Sequence, residues 1–396
     1  MRNIVFIFLS LLVSPALRCQ QVVVTKWKNS SQVRETYQAG ILGNDTIKNG
    51  QYQIWYKNGN LWQEGAFSHN KLEGTWYDYY PDGQIKQVLP YSENKLEGLF
   101  RYFYPDSILY QEIQYHNDLP DGVSKTYYQN GTLSELTHYC AGQLDGEVKA
   151  FFEDGRLRFL KNYKQNQVDG YQEFYYENGK IKEKSTMKNG LYSGKFTSYY
   201  KDYAPGAVQK ECYYINGILS GKFTGYYPSG GIMLRTTYDG DKIDGKFTRY
   251  YDSQKKNIAG EIYESGEYKN GIKNGKWKSY YQDGNIYTMG AYKNDRFDGM
   301  WIIYYRNGHV KQKGNYREGL AEGTFYIYYE SGKLKNDGKY VDDKKQGVWT
   351  GYYETGEIMT SINFKDGERD GNAVAYNNNG DIVEESYYEN GIKQNK

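Results

Sequence analysis

Three cysteines, four histidines and seven tryptophans are scattered through 396 residues. Beyond the N-terminus there is no apolar run of the ~18 residues that a membrane-spanning helix needs, so a helical membrane bundle is excluded. At ~100–200 residues per domain the length would suit two or three ordinary domains. Leu, Val, Ala and Met are too scarce for such layered cores, since the hydrophobic fraction is 38% and much of it is Tyr. An excess of one charge is also missing, with 50 Lys+Arg against 48 Asp+Glu and a net charge of +2. No overall field draws in nucleic acid or anionic lipid, and nucleic acid is not an expected partner.

What is abundant is Tyr, with 47 residues, and Gly, with 45, well above its usual ~7% share. That pairing points to short strands and tight turns, repeated. At the start of the chain, Arg2 precedes an apolar stretch from Ile4 to Val13, followed by Pro15, Ala16 and a polar exit through Arg18, Cys19 and Gln20. This is the order of a secretory signal peptide, assigned to residues 1–19. Arg18 stands where lipoprotein sites carry a small residue, so lipid attachment at Cys19 is not expected. Export would place the mature chain in the periplasm, at the outer membrane or outside the cell, in a bacterial setting, with no transmembrane segment left.

One repeat governs nearly everything else. Gly50, Gly74, Gly98, Gly122, Gly146, Gly170 and Gly194 are each 24 residues apart. The series resumes at Gly221 and Gly245 after an insertion of three, and after an insertion of six at Gly275, Gly299, Gly323, Gly347 and Gly371. Fourteen repeats thus fill residues 50–396, with residues 20–49 as a capping segment. Counting from each leading Gly as zero, offset two is usually Trp or Phe, as in Trp76, Phe100, Trp277, Trp301, Phe325 and Trp349. Offsets five and six are an aromatic pair, such as Tyr79-Tyr80. Offsets eight and nine are commonly Asn-Gly or Asp-Gly, offset eleven is aliphatic, and offset seventeen is Tyr or Phe.

Asn-Gly between aromatic-rich runs is a strong hairpin signal, because a type I′ turn needs positive φ at both central residues. With that turn at offsets eight and nine, offset six faces eleven, two faces fifteen and zero faces seventeen. Alternation then gathers offsets zero, two, six, eleven, fifteen and seventeen on one face. Gly290, Gly314 and Gly338 fall opposite Trp277, Trp301 and Phe325, and each ring is expected to lie over its cross-strand glycine, Trp301 over Gly314 for example. Hairpins must add strand to strand, giving an elongated, single-layer antiparallel β-sheet of tandem ~24-residue units. At about 9.6 Å per repeat, fourteen would span on the order of 130 Å.

Units of the form G-x-W-x-x-Y-Y-x-N-G-x-L resemble the MORN repeat variant, a family that includes bacterial YwqK-like antitoxins. The resemblance covers residues 50–396. It implies an all-β fold, a curved sheet built hairpin by hairpin, and service as an interaction or scaffold module, with toxin neutralisation as an antitoxin-like variant of that service.

Chemistry is harder to find. His69, His116, His138 and His309 lie in four different repeats without the spacing of a metal site. Cys140 and Cys212 are three repeats apart, roughly 29 Å against a ~7 Å limit for a disulfide, so free thiols are expected. Ser193-Gly194-Lys195 and Ser220-Gly221-Lys222 lack the phosphate-loop spacing. Asp145-Gly146 and Asp244-Gly245 read as turns. Catalysis needs one asymmetric constellation, whereas this chain offers near-copies; no enzyme, metal or cofactor is expected. The feature that fits binding is a ladder of offset-five rings: Tyr79, Tyr127, Tyr175, Tyr199, Tyr226, Tyr250, Tyr280, Tyr304, Tyr328 and Tyr352. Packing over flanking alkyl stems and contact with a ligand both remain open for it. The expected partner is another protein, and the alternative is a cell-envelope polysaccharide held by the aromatic ladder.

Overall fold

The structure is a computed structural model that describes residues 18–42 and 45–394. Up to residue 17 the expected signal peptide lies outside the described residues. Two compact bodies divide the chain between Gly179 and Lys180. In each, the described residues form strands and turns without helix, and strands pair antiparallel with their neighbours in sequence. In the N-terminal body, Arg18–Lys26 pairs with Val33–Leu42, which pairs in turn with Asp45–Trp55. The segment before the first leading Gly is therefore stranded, with Tyr37 paired to Tyr52. Trp27 stands at its first turn, with Arg34 and Lys57 at 5.3 and 5.5 Å from the ring.

The hairpin register expected from the turn recurs throughout. Gly74 faces Tyr91 and Trp76 faces Leu89. Likewise Trp277 faces Gly290, and Trp301 faces Gly314. The turn itself differs from the expectation. Gly83 has φ 94°, but Asp82 before it is not among the positive-φ residues. Tyr80 N–H donates to Gln84 O at 2.8 Å and Gly83 N–H to Tyr80 O at 2.9 Å. This is a type I turn closed by a glycine bulge, one residue longer than type I′. The cause is the side chain at offset eight: Asp82 Oδ1 accepts from Gln84 N–H, and Asn58 Oδ1 from Asn60 N–H, both at 3.0 Å. Such an Asx turn holds its residue at negative φ. The true type I′ turns sit between repeats at offsets nineteen and twenty, where His69 and Asn70 have φ of 49° and 65°, and Glu93 and Asn94 of 50° and 72°.

The bulge also shifts one face assignment. Offset eleven pairs with five rather than six, as in Tyr79 with Ile85 and Tyr304 with Val310. The offset-six ring instead meets the ring at offset twelve where that residue is aromatic: Tyr56 stacks on Trp62, Tyr104 and Tyr251 meet Tyr110 and Tyr263 edge-on, and Tyr281 is tilted against Tyr287, at 5.0–5.6 Å.

A second correction concerns the rings over glycine. Trp301 lies over Gly290 of the preceding repeat, not over its own partner Gly314, which Phe325 covers. Trp76 covers Gly65 and Trp349 covers Gly338 in the same way. Between repeats, Glu64 pairs with Tyr77 and Ala66 with Glu73, leaving Gly65 opposite the irregularity at Gly74. The ring swings into that gap, where its indole N–H reaches a preceding carbonyl: Trp76 to Ala66 O at 3.1 Å, Trp301 to Ala291 O at 3.0 Å. The result is a chain of edge-on aromatic contacts, such as Phe325–Tyr340–Trp349 at 4.9 and 5.0 Å. Trp76 is 2% exposed within it. Cys212, buried opposite Phe196, and Cys140, exposed, are both free thiols.

A Cβ built on Gly290 falls 2.3 Å from the Trp301 ring. Gly290→Ala should therefore destabilise its region by about 1–3 kcal/mol through overpacking. Hydrogen exchange should show the loss at Trp301 and its neighbours; unchanged protection there would mean that the ring does not cover this glycine.

Candidate binding surface

The offset-six tyrosines are committed to structure. Each turns its hydroxyl toward the following repeat and donates to the backbone carbonyl at offset five there: Tyr56 to Tyr79, Tyr104 to Tyr127, Tyr227 to Tyr250, Tyr281 to Tyr304, Tyr305 to Tyr328 and Tyr353 to Tyr376, at 2.7–3.2 Å. The offset-eight amide reinforces the same edge, as where Asn58 Nδ2 donates to Pro81 O at 2.7 Å. At the other edge the offset-twenty Asx binds the backbone two residues before a leading Gly: Asn94 N–H donates to Leu72 O, and Asn94 Oδ1 accepts from Leu72 N–H.

The ladder residues stand on the face opposite the offset-two rings. Tyr226 is buried at 8% exposure. Tyr79, Tyr127, Tyr175, Tyr199, Tyr250, Tyr280, Tyr304, Tyr328 and Tyr352 are half-buried. Most rest on the offset-fourteen side chain of the preceding repeat. Tyr79 donates to Glu64 at 2.7 Å and Tyr226 to Glu211 at 2.9 Å, while Tyr304 Oη lies 3.3 Å from Met289 Sδ. Arg235 lies over Tyr250 and Lys313 over Tyr328. Within each body the rings are thus held in place, half-buried except at Tyr226, which is buried.

The offset-two face carries a second aromatic feature, in the C-terminal body. A cleft of about 490 Å³ runs between two walls of rings. One wall is Tyr251, Tyr263, Tyr281 and Tyr287; the other is Trp277, Tyr292, Phe297 and Trp301. Its floor is a row across adjacent strands, Glu264 beside Ser279 beside Thr288. The two hydroxyls hydrogen-bond to each other, and Arg249 lies 3.6 Å from Glu264. Sequence reasoning on the repeat consensus missed this site. Its signal was present as a departure at offset twelve, where Lys86, Lys311 and Lys335 place their amines over the offset-six rings but Tyr263 and Tyr287 are aromatic in adjacent repeats.

The four histidines stay apart. His116 lies 2.8 Å from Glu97, His138 2.7 Å from Glu147 O and His309 2.8 Å from Glu330 O. His69 occupies a turn. Among the described residues no group of three His, Cys, Asp or Glu is placed to hold a metal ion, and no helix is long and apolar enough to cross a membrane.

Eleven stretches, 48–69, 72–93, 96–117, 120–141, 144–165, 168–189, 273–294, 297–318, 321–342, 345–366 and 369–392, match the MORN repeat variant. The chain belongs to the MORN repeat variant family. MORN repeats are generally protein- or membrane-interaction modules. Between the matched stretches, residues 190–272 hold the repeats led by Gly194, Gly221 and Gly245 and both insertions. No curated protein matches this MORN chain. Among solved structures it is similar to the crystal structure of TcdB2-TccC3, at 11% identity over 93% of this chain and 23% of that one, with a TM-score of 0.17. It is also similar to the Tc holotoxin pore of Photorhabdus luminescens, at 10% identity over 87% and 23%, with a TM-score of 0.14. The chain spans about a quarter of the length of those proteins, and at such scores the likeness carries no argument.

Burial, with the hydrogen bond to Glu211 next, pushes the Tyr226 phenol from 10.0 up to about 12. Burial and Glu183 do the same at Tyr192. A raised phenol pKa favours the neutral form in the folded chain. Its stabilisation is whole below the unfolded value and is lost as pH climbs from 10.0 through about 12. Ultraviolet titration should show tyrosinate forming later in the folded chain than in urea. Tyr226→Phe should flatten the fall of stability in that pH window, and an unaltered slope would count against this linkage.

Proposed function

We propose that this MORN chain is an exported, non-enzymatic interaction module that presents the ladder face of its sheet to another protein. The observation that carries the reading is the company the ladder keeps. Beside its rings on the same face, Val123, Met300 and Val348 at offset one and Ile85 and Ile358 at offset eleven are all more than a third exposed. Rigid tyrosines with apolar neighbours amid charged side chains are the composition of a protein contact surface. Half-buried rings held by Glu64, Met289 or Lys313 lose little freedom on docking, which lowers the entropic cost of association. The repeat supports the non-enzymatic part, because near-copies supply no single acid–base pair. The charged start and apolar stretch before Cys19 support export.

The test uses the mature chain immobilised against envelope extract, beside the variant Met300→Glu/Val348→Glu. A defined protein held by the first and released by the second is expected. A partner held equally by both would move the contact to another surface. A tagged full-length chain that stays in the cytosolic fraction would remove the exported role.

A further inference from the structure

We infer that the cleft between Tyr263, Tyr287 and Trp277 is a binding site for a short stretch of linear glycan, about three pyranose rings long. It lies on the face opposite the ladder and stands independently of the protein contact proposed there. Three observations converge on it. The first is shape: a cleft of about 490 Å³ is within the range of small-molecule sites and is bounded by aromatic rings on two sides. A pyranose presents C–H faces that stack on such rings and a rim of hydroxyls that need polar partners. The floor supplies those partners in a line, with the Glu264 carboxylate and the Ser279 and Thr288 hydroxyls on successive strands.

The second is periodicity. Successive repeats advance about 9.6 Å, two strand spacings, close to the length of two β-1,4-linked pyranose rings. Tyr263 and Tyr287 occupy the same offset in consecutive repeats, so rings one disaccharide apart meet equivalent platforms. The third is asymmetry. Repeats that carry Lys at offset twelve place its amine over the offset-six ring, as Lys311 does at 5.7 Å from Tyr305 and Lys335 at 5.3 Å from Tyr329. In the cleft that cover is replaced by Tyr263 and Tyr287, 37% and 42% exposed. Tyr263, with Arg249 4.7 Å from its ring, and Tyr287 are thus two exposed aromatic rings in adjacent repeats, at a position that lysine fills in other repeats. Lys273, 4.1 Å from the Trp277 ring at the inner wall, offers a donor to an acetamido carbonyl. An N-acetylated glycan therefore fits better than an unsubstituted one.

The experiment is calorimetric titration of the mature chain with tetra-N-acetylchitotetraose, with cellotetraose and with a proline-rich decapeptide. The variant is Tyr263→Lys/Tyr287→Lys, which installs the residue that other repeats carry at the same offset and so keeps the fold; thermal melting checks that it does. Wild type should bind the acetylated tetrasaccharide more tightly than cellotetraose. The double variant should lose about tenfold or more in affinity, while Tyr304→Ala on the opposite face should bind as wild type does. Failure of wild type to bind either oligosaccharide overturns the site, as does equal binding by the double variant. Capture of the decapeptide alone would make the cleft a peptide groove and overturn the glycan assignment. The protein contact on the ladder face would survive each of these outcomes.

Discussion

A phenolic hydroxyl reaching one repeat forward to a backbone carbonyl is the interaction on which this architecture rests. A single hairpin is barely stable in water, and a sheet of hairpins needs something that sets the distance and angle of each addition. The offset-six tyrosine does this, because its ring is fixed by the bulged turn and its hydroxyl meets one carbonyl only. The repeat led by Gly146 has Phe152 at this position and lacks the bond, but the insertions leave it intact. Tyr200 reaches Tyr226 across three extra residues, and Tyr251 reaches Tyr280 across six, at 2.8 and 2.9 Å. Both insertions leave the donor directly after its strand and the acceptor at the end of its own, and enlarge the loop that follows the donor.

The indole N–H bonds run the other way, from one repeat back to its predecessor. Trp76 to Ala66 and Trp349 to Lys339 close the junction from the opposite side of the hairpin. Forward links near one edge and backward links at the centre leave little freedom for neighbouring hairpins to slide. Stability is then a sum of local terms, each confined to a pair of neighbours.

The fold was legible in the sequence because fourteen copies repeat one pattern, and the pairing of Trp76 with Leu89 or Trp301 with Gly314 follows from offsets alone. Two things were hidden. Asn58-Gly59 and Asp82-Gly83 resemble type I′ turns, but the offset-eight side chain caps its own backbone and selects the longer bulged loop. The same slip moved Ile85 to the face of Tyr79. The partner of each large ring was hidden too, since a strand in a sheet has two neighbours. Sequence offers Gly314 to Trp301 as readily as Gly290, and only the irregular pairing before each leading Gly decides between them. For the candidate binding surface, the ladder tyrosines were visible at a recurring offset, but their engagement with Glu64, Glu211 and Met289 was not. The cleft at Tyr263 and Tyr287 was overlooked because a consensus averages away the departures that make one repeat unlike the next.

Since each described junction of this kind joins the same kind of hydroxyl to the same kind of carbonyl, the parts are interchangeable. Excise one whole repeat and the donor before the gap meets the acceptor after it, chemically the same pair that was separated. Duplicate one and the new seam is an old seam copied. Genes encoding such chains can thus lengthen or shorten by unequal recombination without inventing a contact, and a surface of any required reach is available by changing copy number alone. Specialised features such as the adjacent Tyr263 and Tyr287 then mark where a copy has stopped being replaceable.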